Sequence, residues 1–288
     1  MTIFNPAYTG TQEAPMLSMS YRSQWSGIDG APVVQAFSFG TPTSNERVGI
    51  GLNIINDEIF IQRQTHAYVN FSYKLPMSEE TDLFLGLQAG ANGTRLEAEA
   101  LESKNTTSGV DPNLINYSQF VPNVGVGVYL KNNKYFVSLS APRILNSKRY
   151  LDQQGLYTSA TDRVHFYASG GVNLFVSDRW TLSPFLLYRQ VAGAPTFLSL
   201  NTTFNYDQFI NFGIEYNLES GFGANLMLKT QGGLSFGYAY ETPRESDISQ
   251  LTNGTHELIL KIRLGNSANS SDDRRIGTRN KEKRVAIK

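Results

Sequence analysis

Between Val124 and Leu130 every second residue is apolar (Val124, Val126, Val128, Leu130), and Gly125, Gly127 and Tyr129 stand between them. Helical spacing cannot produce strict alternation, whereas a strand produces it automatically. Asn132-Asn133 supplies two residues that tolerate the left-handed backbone of a tight turn, and alternation resumes from Phe136 to Ala141. The hairpin therefore has one continuous apolar side and one side of Gly, Asn, Ser and Tyr. The same two-faced pattern recurs along the chain. Leu17, Met19 and Tyr21 oppose Ser18, Ser20 and Arg22; Val69, Phe71, Tyr73 and Leu75 oppose Asn70, Ser72 and Lys74; Leu258, Leu260, Ile262 and Leu264 oppose Glu257, Lys261 and Arg263.

The pattern predicts about fourteen strands, near 15–24, 33–41, 47–56, 64–76, 82–94, 120–131, 134–141, 163–176, 180–190, 195–206, 209–217, 221–230, 232–241 and 255–264. Several are longer than soluble sheets use and suit a tilted membrane strand. In a soluble β-sandwich the polar face is charged. Here the non-apolar face is Gly, Ser, Asn and Thr with scattered charges, which suits a barrel lumen. Connection lengths sort by parity. Pro42–Glu46, Met77–Thr81, Asn132–Asn133, Ser177–Arg179, Asp207–Gln208 and the turn near Gln231 are short, whereas Arg95–Gln119, Pro142–Asp162 and Thr242–Gly254 are long. Short turns on one side and long loops on the other predict an all-β, transmembrane, antiparallel up-and-down barrel with both termini periplasmic. Tyr8, Tyr73, Tyr129, Tyr188, Tyr216 and Tyr240 fall near strand ends, where an interfacial girdle would place them.

Composition narrows the function. In 288 residues there is no cysteine, which removes disulfides, thiolate metal sites and catalytic thiols together. No stretch approaches the roughly 20 apolar residues of a membrane helix. Basic and acidic residues balance at 25 each, so net charge points to no nucleic-acid partner. The balance hides an asymmetry: residues 265–288 hold seven Lys/Arg and three acids, leaving 18 basic and 22 acidic residues before Gly265. Residues 265–288 read as a disordered, basic, periplasmic tail behind a barrel domain of residues 1–264, of which 1–14 form an N-terminal periplasmic segment. Met1-Thr2-Ile3-Phe4-Asn5-Pro6 has neither the charged nor the apolar region of a signal peptide, so the expectation is a trimmed chain or one that is not exported.

Asn5-Pro6-Ala7-Tyr8-Thr9-Gly10, then Tyr21-Arg22-Ser23-Gln24-Trp25-Ser26-Gly27 and Gly30-Ala31-Pro32, resemble the opening of the PorP/SprF family of outer-membrane proteins of the type IX secretion system in Bacteroidota. Gly49-Ile50-Gly51-Leu52, Asn56-Asp57, Tyr73-Lys74-Leu75 and Leu85-Gly86-Leu87-Gln88-Ala89-Gly90 continue the match. Gly254-Thr255-His256-Glu257-Leu258 is similar to the family's closing Gly-Ser-His-Glu signature, with Thr255 in place of Ser. The resemblance implies a bacterial outer-membrane barrel that binds the C-terminal sorting domain of a secreted surface protein, of the gliding-adhesin type. It also implies partnership with other type IX secretion components. Family members carry a signal peptide, so the resemblance makes this chain look truncated or started late.

Two groups of residues are candidates for partner binding. Trp25, Gly27, Gly30 and Pro32 form an outward loop that is either a Gly/Pro-shaped turn with an interfacial anchor or part of a docking surface. Arg22, Lys74, Arg189, Glu215, Lys229, Glu257, Lys261 and Arg263 must face the lumen or an interface, because Arg or Lys toward lipid at mid-depth costs about 2–4 kcal/mol. They are either internal salt bridges or a polar lining that holds a partner or selects solutes. Asn5-Pro6-Ala7 is either an ordinary turn before the first strand or a segment closing the periplasmic mouth. His66, His165 and His256 each begin a strand at the long-loop side, several strand spacings apart around the wall, which argues against a shared metal. No metal, cofactor or catalytic constellation is expected, and hence no enzyme. A passive channel for small solutes or lipids is the alternative function.

Overall fold

The computed structural model describes residues 1–97, 116–145, 148–153, 156–161, 163–207, 209–218, 221–243 and 251–265. The strands are β1 (Met16–Ser23), β2 (Val33–Pro42), β3 (Val48–Ile59), β4 (Gln62–Pro76), β5 (Thr81–Leu96), β6 (Tyr117–Asn132), β7 (Tyr135–Arg143), β8 (Lys148–Gln153), β9 (Leu156–Thr161), β10 (His165–Val172), β11 (Leu174–Phe175), β12 (Trp180–Val191), β13 (Phe197–Tyr206), β14 (Ile210–Asn217), β15 (Gly221–Lys229), β16 (Leu234–Glu241) and β17 (Thr255–Arg263). Strands β1 to β7 and β11 to β17 each pair antiparallel with their neighbours in sequence, β1 also pairs β17, and β10 pairs both β7 and β12. The ring β1–β7, β10, β12–β17 is therefore a closed fourteen-stranded barrel, and β11 carries the line of β10 a little further along β12. Strand number and closure agree with the sequence expectation.

Alternation sorts the side chains as expected. On β6, Val124, Val126 and Val128 are exposed on the outside while Asn123 and Tyr129 are buried inside. Leu85 and Leu87 on β5 and Val69 and Phe71 on β4 are likewise exposed, and Asn70, Ser72, Phe84 and Gln88 are buried. The apolar face is thus turned outward, as lipid demands of a barrel wall.

The wall is uneven. β4, β5 and β6 run to 15, 16 and 16 residues, whereas β14 and β16 have 8 each. About 9–11 tilted residues cross a bilayer, so the longest hairpins have residues to spare. They spend them at the long-loop end. β7 leaves its partner there, with the Ile144 amide donating to the Val124 carbonyl, and the first residues of β6 continue beside β5 alone. The expected loop at 142–162 contains an element that periodicity did not reveal, the two-stranded hairpin β8–β9. Of the expected tail, 265–288, all but Gly265 lies outside the described residues, as does the middle of the 95–119 loop.

One substitution tests the inside-out assignment. Leu87 sits mid-strand on β5 and faces out. Leu87→Arg is expected to destabilise the barrel by about 2–4 kcal/mol in lipid. Urea titration of protein folded into phospholipid vesicles measures this.

Candidate functional site

The space enclosed by the ring is not empty. Residues 1–11 lie within it toward the short-turn end, seated on the inner faces of β3–β7. Asn5 caps a single 3-10 turn, Pro6–Tyr8, by accepting from the Ala7 amide at 2.8 Å. Its side-chain amide donates to the Val128 carbonyl at 2.9 Å and the Ser138 hydroxyl at 2.8 Å, tying the turn to β6 and β7. The lumen wall is glycine where this turn touches it. A Cβ on Gly86 would lie 2.0 Å from the Ala7 nitrogen, one on Gly127 would lie 1.9 Å from Asn5 Oδ1, and one on Gly49 would lie 2.3 Å from the Thr9 carbonyl oxygen. Further bonds run from Ser140 Oγ to the Phe4 carbonyl (2.7 Å), Asn53 Nδ2 to the Thr2 carbonyl (2.8 Å), Lys131 Nζ to the Thr11 carbonyl (3.1 Å) and the Ser72 hydroxyl to the Thr9 carbonyl. Ala7 is fully buried, with Phe84 and Tyr129 against it. Tyr8 meets Tyr129 edge-on, with ring centroids 5.2 Å apart. These two tyrosines therefore join plug to wall and are not part of an interfacial girdle, whereas Tyr73 and Tyr216 do face out.

The twelve candidate residues separate into four places. Trp25, Gly27, Gly30 and Pro32 lie in the β1–β2 loop, which is a braced structure. The Ser26 amide donates to the Gly254 carbonyl, the Asn253 amide to the Ser26 carbonyl, and the Phe60 amide to the Gly30 carbonyl. Trp25, Gly27 and Gly30 all have positive φ, and Gly30 abuts the Phe60 ring, where a Cβ would come within 2.7 Å. Arg22 and Glu257 meet across β1 and β17, and Glu241 joins them. Arg22 forms a bidentate pair with Glu241 (2.7 and 2.8 Å) and reaches Glu257 at 3.4 Å. Glu215, on the same stretch of wall, accepts from Ser199 Oγ. Lys229, Lys261 and Arg263 occupy the short-turn ends of β15 and β17, where Lys229 and Lys261 flank Ser235 of the strand between them. Lys74 pairs with Asp82 at 3.1 Å at the same end of the barrel.

Arg189 belongs to a fourth place. Beside the long-loop end the lumen opens into a cavity of about 320 Å³ lined by Arg143, Arg163, Arg189, His66, His165 and Asp57. Tyr167, which also lines it, meets Phe4 of the plug with tilted rings 5.2 Å apart. Arg143 arrives there through a break in the strand pattern. On β7 the even-numbered Ser138 and Ser140 face in, so Arg143 would face lipid by parity. The β7–β10 register shifts by one residue between His165 and Tyr167, which pair with Arg143 and Ser140. Such a bulge re-aims the residues beyond it. Gly125 leaves room for it: a Cβ there would lie 2.3 Å from the Pro142 carbonyl oxygen. Inside, Arg143 Nη2 contacts His165 Nδ1 at 2.9 Å. Since arginine can only donate, that ring nitrogen accepts and His165 is neutral. His66 and His165 are separated around the wall, yet they share this cavity across the lumen; His256 is outside, against Tyr238 and Tyr240. Sequence reasoning missed Arg143 and Arg163. The signal available for the first was a proline followed by a charge at a lipid-facing parity.

Comparison with known proteins agrees with this architecture. The model of the type IX secretion system membrane protein PorP/SprF family matches residues 1–262. The chain belongs to the PorP/SprF family. Among solved structures, the barrel is similar to the Ralstonia pickettii toluene transporter TbuX (10% identity, 92% of this chain and 93% of that one, TM-score 0.54). It is similar too to a Pseudomonas aeruginosa FadL homologue (10% identity, 91% and 93%, TM-score 0.54). Likeness at that identity is likeness of fold. No curated protein matches the sequence. Family and fold together make this PorP/SprF protein an outer-membrane barrel and a membrane component of type IX secretion.

The plug has a direct test, because the chain has no cysteine of its own. A single cysteine introduced by Ala7→Cys is expected to resist a maleimide in the folded barrel. Adding Gly127→Val, which collides with Asn5, is expected to raise its labelling rate by at least tenfold. Stopped labelling followed by mass measurement reads both.

Proposed function

We propose that this barrel captures the C-terminal sorting domain of a secreted surface protein, of the gliding-adhesin type, and supports its secretion or surface anchoring without catalysing a reaction. In this reading the short turns and both chain ends face the periplasm and the long loops face outward. The observation that carries it is the asymmetry of the lumen. The short-turn half is partly occupied by residues 1–11, held by Asn5 and matched to glycines of the wall. The other half is polar, charged and surrounded by the braced 24–32 loop and the tall β4–β6 wall. A barrel narrowed at one end and furnished at the other suits holding a partner better than passing a solute. Residues 265–288 and the basic group Lys229, Lys261 and Arg263 would then serve contacts with the rest of the secretion machinery.

A passive channel for small solutes or lipids is the second reading, favoured by the shared fold with a toluene transporter. Two measurements separate the readings. Gentle solubilisation of native outer membranes is expected to co-purify a large surface protein held through its C-terminal domain, and recovery of the folded barrel by itself would sink the capture reading. In planar bilayers the intact barrel is expected to stay silent; steady unitary conductance would establish the channel instead.

A further inference from the structure

We propose that the cavity at Arg143, Arg163 and Arg189 is a binding site for an oxyanion, a carboxylate or phosphate group presented from the long-loop side. This inference stands apart from the capture reading, since it concerns the chemistry of the chamber whatever carries the anion. Three guanidiniums line one space against one carboxylate, Asp57, among the described lining residues. Bringing like charges into a chamber walled by protein costs energy that a bound anion returns. Their origins differ: Arg143 comes from the bulged end of β7, Arg163 from the segment before β10, and Arg189 from β12. Three strands' worth of wall thus converges on one volume.

Two of the cations are also held in place. Arg143 is fixed by His165 at 2.9 Å and Arg189 lies over the Phe197 ring at 4.7 Å from its centroid, while Arg163 is exposed at the mouth, beside the Gly193 turn. Planar forks held at fixed positions are what paired oxygens of carboxylate or phosphate require. Neutral His165, with Nδ1 occupied, keeps its proton on Nε2 as a further donor. A chamber of about 320 Å³ has room for a phosphate or a small dicarboxylate with some hydration. The bulge at Pro142 supports the same conclusion, because it brings a charge inward that strand parity alone would have sent toward lipid.

The test uses the full chain folded in detergent micelles. Thermal unfolding is followed while inorganic phosphate or citrate is titrated against sodium chloride of equal ionic strength. A ligand bound only by the folded state raises the midpoint in a saturable way. Either anion is expected to do so beyond chloride, and the stronger of the two identifies the class. Arg163→Gln, which lies outside the strands and spares the ladder, is expected to weaken the apparent affinity roughly tenfold or more, as loss of a charged hydrogen bond does. Arg189→Gln should act similarly, and Arg263→Gln, at the other end of the lumen, should leave the affinity unchanged. No rise beyond chloride, or an equal loss in all three variants, would overturn the proposal.

Discussion

Inside a bilayer no backbone N–H or C=O can be left without a partner, and a sheet meets that demand only by closing on itself. In this protein the ladder closes because β1 pairs both β2 and β17, and β10 pairs both β7 and β12. Everything else about the residue pattern follows from that closure. Lipid surrounds the ring, so Val, Leu and Phe turn outward, and the buried set is polar: Asn5, Asn53, Asn70, Ser72, Asn123 and Ser140 are among it. Among the described residues, the buried apolar side chains are little more than Ala7, Phe84 and three tyrosines. This fold holds by ladder hydrogen bonds and lipid contact rather than by an oily centre.

Closure at fourteen strands creates a second demand. Eight strands make an interior that side chains just fill, and sixteen to eighteen leave an aqueous channel. Fourteen enclose more than the wall can fill, and the N-terminal turn occupies part of the surplus. Its fit depends on backbone-to-backbone approach, which only glycine allows at positions 49, 86 and 127. Asn5 adds hydrogen bonds worth about 1 kcal/mol each net. Their value lies in where they act: one side chain joins a chain-terminal turn to two neighbouring strands more than a hundred residues away. The plug is therefore part of the barrel's architecture, and through Phe4 it reaches Tyr167 on the wall of the charged half.

Much of this was legible in the sequence, because a period of two is a local property. Each of the fourteen ring strands has its counterpart in the alternation pattern, and the short turns were marked by length and by Asn132-Asn133. What remained hidden was long-range. Gly86 and Gly127 read as small lumen residues, but nothing in their spacing reveals that Ala7 and Asn5 press on them. Tyr8 and Tyr129 read as girdle residues because position along a strand does not say which way a chain-terminal segment folds back. Glu241 escaped notice beside Arg22 because its partner lies 219 positions away. The β8–β9 hairpin sits within a loop whose length gave no hint of pairing.

Arg143 is the instructive omission: the expected strand stopped at 141, whereas β7 runs on to Arg143. Strict parity assigns every residue of a strand to lumen or lipid, and it errs wherever one residue is inserted into the ladder. Such insertions are not random: the bulged strand must bend, and the facing strand must yield space, as Gly125 does for Pro142. A charge that parity would send outward is therefore a place to look for a bulge, which can turn it to the lumen at the loss of one ladder position. The outcome, in the long-loop half of the lumen, is a charge distribution that changes around the ring. Glu215, Glu241 and Glu257 line the arc of β14 to β17, with Arg22 among them, while Arg143, Arg163 and Arg189 line the arc of β7 to β12. Low-dielectric walls concentrate the field between such arcs. A charged group in that half of the lumen thus stands in a field that differs from one arc of the wall to the other.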